Sequence, residues 1–285
     1  MGKVVLVLAA GIASRYGAPK QLERFGPNRW TLAEYALREA LRQGFTEAIC
    51  VIRRECRRAM DDLLGPLRKK MTIDFAYQEL DDTPPGVKIP PERKKPWGTT
   101  HAVYAARKLL TEPFATVNAD DFYGEEAWAT LGRAMEHWEE KASHIVTYKL
   151  GNTLSINGPV SRGICSFKGD HLQSIEEFHG LQAEPGGGAV DGFTGKIFSR
   201  ATPVSMNFFF FQPSFLDRLG EEAELFFSSP AEVLKTAEWT LPMTVNRLLR
   251  AGKLSLFGIA TNCPWHGLTH PKDRKTLADA LCEGA

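Results

Sequence analysis

The chain has 285 residues, 43% of them apolar, which is enough to bury the core of one large α/β domain and too many for a disordered segment. Lysine plus arginine number 35 against 34 for aspartate plus glutamate, a balance that argues against nucleic acid as the main partner and confines any anion site to a local patch. The five cysteines, Cys50, Cys56, Cys165, Cys263 and Cys282, are scattered without a CxxC pair, so neither a metal knuckle nor a redox motif is expected; reduced thiols in the cytoplasm are.

From Lys3 an apolar run, KVVLVLAA, breaks into a small-residue loop carrying Gly11, Ser14, Arg15, Gly17 and Lys20. A strand ending in such a loop offers backbone N–H groups and cations to a polyphosphate. The run is short for a secretory leader, and Leu6 stands where a myristoylation signal wants Ser or Thr. No window is long enough to cross a bilayer, so no membrane partner is expected. Two common phosphate loops are excluded. A Walker loop needs GxxxxGK[ST], but five residues separate Gly11 from Gly17, and Lys20 follows Pro19. A GxGxxG dinucleotide loop fails at Ala13 and Tyr16.

Next, TLAEYALREALRQG places Thr31 and Glu34 at capping-box spacing, with Gly44 as the stop, and predicts a helix. Short apolar runs at 48–52, 72–77, 114–118 and 144–148 alternate with helical segments, the βαβ rhythm of a mostly parallel sheet. Such sheets bind ligands at the carboxyl ends of their strands, where the loops at 10–20, 78–100 and 118–124 fall. DDTPPGVKIPPERKKP is too rich in proline and charge for a core, and its Lys88, Arg93, Lys94 and Lys95 read as a solvated run. Past residue 150 shorter β-type runs (162–167, 172–178, 204–212) lead to SPAEVLKTAEW, with Ser229 as cap and Pro230 in the first turn. Phe208 to Phe211 read as strand core filling both faces of a sheet. No hexapeptide repeat is present.

The pattern LAAGxxSRxGxPKQ resembles the signature loop of the sugar-phosphate nucleotidyltransferases, which release pyrophosphate. The resemblance implies a glycosyltransferase-A-like fold: a Rossmann-like three-layer α/β/α domain with a mostly parallel, mixed central sheet. Residues 1–150 would then carry nucleotide and metal, and 151–285 the acceptor pocket and C-terminal helices. Transfer at an α-phosphorus brings two anions together, so the protein's task is positioning and charge neutralisation. Arg15, with backbone N–H groups of the loop around Gly11, is expected to hold the leaving pyrophosphate and Lys20 the reacting phosphates, while Leu8, Ala9, Ala10 and Gly11 are expected to bind the nucleotide.

In PFATVNADDFYG an apolar strand ends in Asp120 and Asp121, and the resemblance makes Asp120 the primary Mg2+ ligand. Asn262, in FGIATNCPWHGLTHPKD, is the candidate second ligand; Asp273 is expected to stabilise the last helix. GTTHA is similar to the segment with which uridylyl-transferring relatives hold uracil, which gives Gln78, Gly98 and Thr99 to the base; Thr99 capping a helix is compatible with this. Arg162 and Gly163 in VSRGICSF, Glu176 in SIEEFHG and Asn207 in VSMNFFFF resemble, in order, the family's contacts to sugar hydroxyls. The expected reaction is transfer from UTP, dTTP or CTP to a sugar 1-phosphate. Transfer to a phosphorylated alcohol such as phosphocholine, glycosyl transfer from a nucleotide-sugar, and nucleotide binding without catalysis stay open, as does assembly into a homo-oligomer.

Overall fold

The computed structural model describes residues 3–11, 23–136, 142–270 and 272–283. Strand β1 (Val4–Leu8) is five consecutive buried apolar residues, the pattern of a strand covered on both faces. It pairs in parallel with β2 (Glu47–Ile52) and with β4 (Phe114–Asn118), and β2 pairs in parallel with β3 (Thr72–Tyr77). A second parallel pair joins β6 (Ser143–Lys149) to β12 (Leu256–Thr261). Between these groups lies β11 (Pro203–Phe211), antiparallel to both β4 and β6. β5 (Asp121–Phe122) is a short strand outside this sheet, while β7 (Val160–Lys168) and β8 (His171–Ala183) form a long antiparallel hairpin extended by β9 (Ala189–Asp191) and β10 (Ile197–Phe198).

The result is one mixed sheet in the order β10-β9-β8-β12-β6-β11-β4-β1-β2-β3, with β7 bridging β11 and β8. Helices cover both faces. Val5 and Val7 pack with α1 (Leu32–Arg42), α2 (Arg57–Leu64) and α4 (Glu125–Glu136). Val4, Leu6 and Leu8 pack with α3 (Thr99–Ala106), α5 (Leu216–Phe227), the one-turn α6 (Ala231–Leu234) and α7 (Leu241–Arg250). This is the expected three-layer α/β/α arrangement. The phenylalanine run follows the same alternation: Phe208 and Phe210 enter the first core, Phe209 and Phe211 the second.

Local signals hold where one side chain decides them. The Glu34 N–H donates to Thr31 Oγ1 at 3.2 Å, and the Thr31 N–H donates to Glu34 Oε2 at 2.9 Å, a complete capping box. Two expectations are corrected. Pro230, not Ser229, is the cap residue of α6, with no side-chain hydrogen bond, and the helix lasts four residues. Arg93 is not solvated: it is 4% exposed, and its guanidinium donates to the carbonyls of Lys95, Pro96, Leu234 and Ala237 at 2.7 to 2.9 Å while lying 4.1 Å from the Trp97 ring centroid. It clamps the proline-rich excursion to the α6 turn. No described helix is long and apolar enough to cross a membrane.

Candidate active site

Because β3, β1 and β4 belong to one parallel group, their carboxyl ends lie on one edge of the sheet, and Gln78, Gly11 and Asp120 follow them there. After β4 the chain turns at Asp120 into β5, which pairs with β13 (His266–Gly267). A cleft of about 250 Å3 opens at this turn, lined by Asn118, Asp120, Asp121, Arg162, Gly163, Glu177, Asn207 and Trp265 among others. The structure thus brings together Asp120, Arg162, Gly163 and Asn207, from segments 87 residues apart in sequence (120 to 207).

Asp121 is the buried member of the aspartate pair. Its Oδ2 accepts from Asn118 Nδ2 at 2.7 Å, and burial, reinforced by the neighbouring Asp120 charge, pushes its carboxyl up to about 8. The Tyr123 hydroxyl accepts the Asn118 N–H at 2.9 Å and donates to the Met206 carbonyl at 3.0 Å, which ties the turn to β11. Asp120 at the turn and Asn207 on β11 are thereby held at a fixed spacing.

Asn207 reaches the cleft through a defect in its strand. The register of β11 against β6 shifts between Ser205 and Phe209, and Asn207 has φ +60°, a left-handed conformation that asparagine tolerates better than most residues. Its carbonyl accepts from Thr116 Oγ1 at 2.7 Å. Across the cleft, Arg162 is 6% exposed and is held by neutral oxygens: Nε donates to Thr153 Oγ1 at 3.1 Å, Nη1 to the Ser161 carbonyl at 2.7 Å, and Nη2 to the Thr153 carbonyl. Its guanidinium lies 4.7 Å from the Trp265 ring centroid, and burial lowers its pKa to about 10. Gly163 leaves room for Ile175, whose Cγ2 stands 2.6 Å from where a Cβ would be.

Glu176 does not enter the cleft. On β8 side chains alternate, and Glu176 points to the other face, where its carboxylate lies 3.9 Å from Lys196 Nζ. Glu177, opposite Gly163 in the hairpin register, lines the cleft instead and accepts from Thr240 Oγ1 at 3.3 Å. Asn262 is not among the residues that line the cleft; it is exposed just past β12, whose carboxyl end lies on the same sheet edge as that of β4, and its carbonyl accepts from Asn152 Nδ2 at 2.7 Å. Asp273 opens the last helix, α8 (Asp273–Glu283), and its carboxylate gathers Ser155 Oγ, Asn157 Nδ2 and the His270 N–H at 2.6 to 2.9 Å.

On the nucleotide side, Leu8 and Ala9 finish the β1 ladder: the Ala119 N–H donates to the Leu8 carbonyl and the Ala9 N–H to the Val51 carbonyl. Ala10 is buried and Gly11 exposed. Arg15 and Lys20 lie outside the described residues. Gln78 is 8% exposed, and its Nε2 donates to the Gly98 carbonyl at 2.8 Å. Gly98 is glycine for a packing reason: its φ is +113°, and a Cβ would stand 2.6 Å from the Trp239 carbonyl oxygen. Thr99 caps a helix other than its own, since its Oγ1 accepts the Leu241 N–H of α7 at 2.8 Å. Sequence reasoning missed Glu177, Asn118 and Trp265 in the cleft, and quoted His101 within GTTHA without giving it a role.

The architecture is that of the nucleotidyltransferase fold. One solved structure with this fold is a protein assigned as a glucose-1-phosphate thymidylyltransferase from Bacillus anthracis, in complex with sucrose; it matches at TM-score 0.67 and 11% identity over 98% of this chain and 95% of its own. Another is the inositol-1-phosphate CTP transferase from T. maritima, at TM-score 0.66 and 13% identity over 100% of this chain and 98% of its own. No protein-family model matches the sequence, and no curated protein does either.

Proposed function

We propose that the protein is a Mg2+-dependent nucleotidyltransferase that moves a nucleoside monophosphate from a triphosphate to a sugar 1-phosphate or a related polyol phosphate and releases pyrophosphate. The observation that carries this reading is the single cleft in which Asp120, at the end of β4, faces Arg162, Glu177 and Asn207, on the same sheet edge as Gly11 and Gln78. Carboxylate, amide and guanidinium groups around a cleft of this size suit a polyol bearing a phosphate. The fold shared with two solved nucleotidyltransferases over nearly the whole chain supports it.

The residues at the β4 turn fit a hard divalent cation. Oxygen donors from Asp120, Asp121, Asn118 and Asn207 surround the turn, and a cation there would offset both the burial and the neighbouring Asp120 charge that raise Asp121. An ion that shares its ligands between protein and substrate phosphates needs only one or two carboxylates, and Asp120 and Asp121 supply that number. Asp120 would hold it, with Asp121 behind; when bound, the ion offsets the negative charge of the two reacting phosphates. Asn207 and Glu177 orient the acceptor hydroxyls, Arg162 supplies fixed positive charge to the cleft wall, and Arg15 and Lys20 are the cations assigned to the triphosphate.

The test is pyrophosphate release from UTP, dTTP and CTP with a panel of sugar and cyclic-polyol phosphates, with and without Mg2+. Release that requires both substrates and the ion supports the proposal. Nucleotide hydrolysis without acceptor, or no release with any acceptor, overturns it.

A further inference from the structure

We infer that the acceptor carries a second anionic group, a carboxylate or a further phosphate distinct from the reacting one, and that Arg162 binds it. The inference rests on the nucleotidyltransferase reading above and names the class of acceptor for the same cleft. Among the described residues lining that cleft, Arg162 is the sole cation, set among the carboxylates of Asp120, Asp121 and Glu177. A guanidinium has five N–H donors. Thr153 takes two of them, from Nε to its hydroxyl and from Nη2 to its carbonyl, and the Ser161 carbonyl takes one from Nη1. Nη1 and Nη2 keep one N–H apiece with no acceptor among the described residues, and such a pair matches two oxygens of a carboxylate or phosphate. The Trp265 ring lies 4.7 Å from the guanidinium, and its buried Nε1–H has no acceptor among the described residues either.

A charge so placed is costly until an anion meets it. Arg162 is 6% exposed, a degree of burial at which an arginine is ordinarily paired, yet its acceptors in the protein are all neutral. Asp121 and Asp273 act on it through space without a hydrogen bond, and each already accepts from other donors: Asp121 from Asn118, and Asp273 from Ser155, Asn157 and the His270 N–H. Position separates the second anion from the reacting phosphate. Strand β11 pairs with β4 on one side and with β7 on the other, so Asp120 just past β4, Asn207 on β11 and Arg162 on β7 follow one another across the cleft. The reacting phosphate belongs with the metal at Asp120, and β7 lies two strand spacings from β4, about 10 Å. A sugar ring over Asn207 with its phosphate at one end therefore presents the substituent at its other end to Arg162. Room exists for it, because Arg162 and Trp265 also wall an adjoining hollow of about 290 Å3 that Thr153 lines.

The experiment is calorimetric titration of the full chain with matched ligands, in the presence of Mg2+ and the α,β-methylene analogues of UTP, dTTP and CTP, which cannot turn over. The ligands are the 1-phosphates of glucose, galactose and mannose, of their uronic acids and of the corresponding uronamides, together with the hexose 1,6-bisphosphates. In at least one sugar series the uronic acid or the bisphosphate is expected to bind about tenfold or more tighter than the neutral parent, and which of the two does so tells carboxylate from phosphate. The uronamide, with the shape of the acid and no charge, is expected to bind like the parent. Arg162→Gln keeps donors without the charge and narrows the ratio to about threefold or less, while Arg162→Lys restores part of it. Because a substitution at this buried site can unfold the chain, the comparison of acid, amide and parent in the unaltered protein stands by itself. Equal affinity for neutral and charged ligands in every series, or an unchanged ratio in a folded Arg162→Gln variant, overturns the inference. Preference for the charged ligand without pyrophosphate release from any triphosphate keeps the anion site at Arg162 and overturns the transferase reading; failure to bind any sugar phosphate overturns both.

Discussion

Asn207 separates binding from stability at the level of one residue. Its φ of +60° is cheap for asparagine and glycine and costs about 1 kcal/mol or more for a residue with an ordinary β-carbon. Asn207→Gly is therefore expected to keep the urea midpoint while raising KM for the acceptor phosphate, and Asn207→Ala to lose both; equal loss of stability in the two variants would remove the backbone argument. Asp120→Asn is expected to lower kcat by about a hundredfold or more while shifting stability by less than about 1 kcal/mol, since the residue sits at an open cleft turn. Near-normal turnover in that variant ends its role as metal ligand. The same scale shows what a sequence hides. Glu176 and Glu177 are adjacent carboxylates on a strand of period two, and only the register against Gly163 decides which one faces the cleft. Arg93 looks like its solvated neighbours because composition carries no record of the four carbonyls that fold around it.

At the scale of elements, the reading of strands and caps was accurate where a local rule sufficed. The runs at 72–77 and 114–118 coincide with β3 and β4, and Thr31 with Glu34 forms the capping box that starts α1. Less legible were features made by two distant elements meeting. Gly98 and Thr99, marked from sequence as base contacts, also form the joint between α3 and α7: the Thr100 N–H donates to the Trp239 carbonyl at 2.9 Å, and the Thr100 and Thr244 hydroxyls pair at 2.9 Å. No periodicity connects residue 98 to residue 239. Gly98→Ala is expected to cost about 2 to 4 kcal/mol in urea denaturation, because the new Cβ meets rigid backbone and the φ of +113° is strained for alanine. A variant as stable as the parent would show that the α3 to α7 joint yields. Asn262, the second metal ligand that the resemblance implies, is exposed past the end of β12 and is not among the cleft residues, and the carboxylate beside Asp120 in the cleft is its sequence neighbour Asp121.

Over the whole molecule, a net charge of only +1 conceals titratable groups whose burial acts in opposite directions on stability. His101, His144 and His266 are held below the ordinary histidine value chiefly by burial, His144 down to about 4. In the unfolded chain they take up protons near pH 6.5, so between about 6.5 and 4 the unfolded state binds more protons and stability falls as the pH falls. Asp121 runs the other way. With its carboxyl raised from 3.8 to about 8, the folded state keeps a proton the unfolded state has released, and this contribution grows as the pH falls through that range. The net slope of stability with pH therefore assigns nothing by itself, but a single substitution separates the parts. His144 stacks on Phe257 with ring centroids 5.6 Å apart at an interplanar angle of 29°. His144→Phe keeps an aromatic ring there and removes the titration, while Asp121 contributes equally to both proteins and cancels in their difference. Urea midpoints measured from pH 7 to 4.5 are expected to fall less steeply for His144→Phe than for the parent, with the gap opening below about 6.5. Parallel curves through that window would mean that His144 gains its proton as readily in the folded sheet as in the unfolded chain.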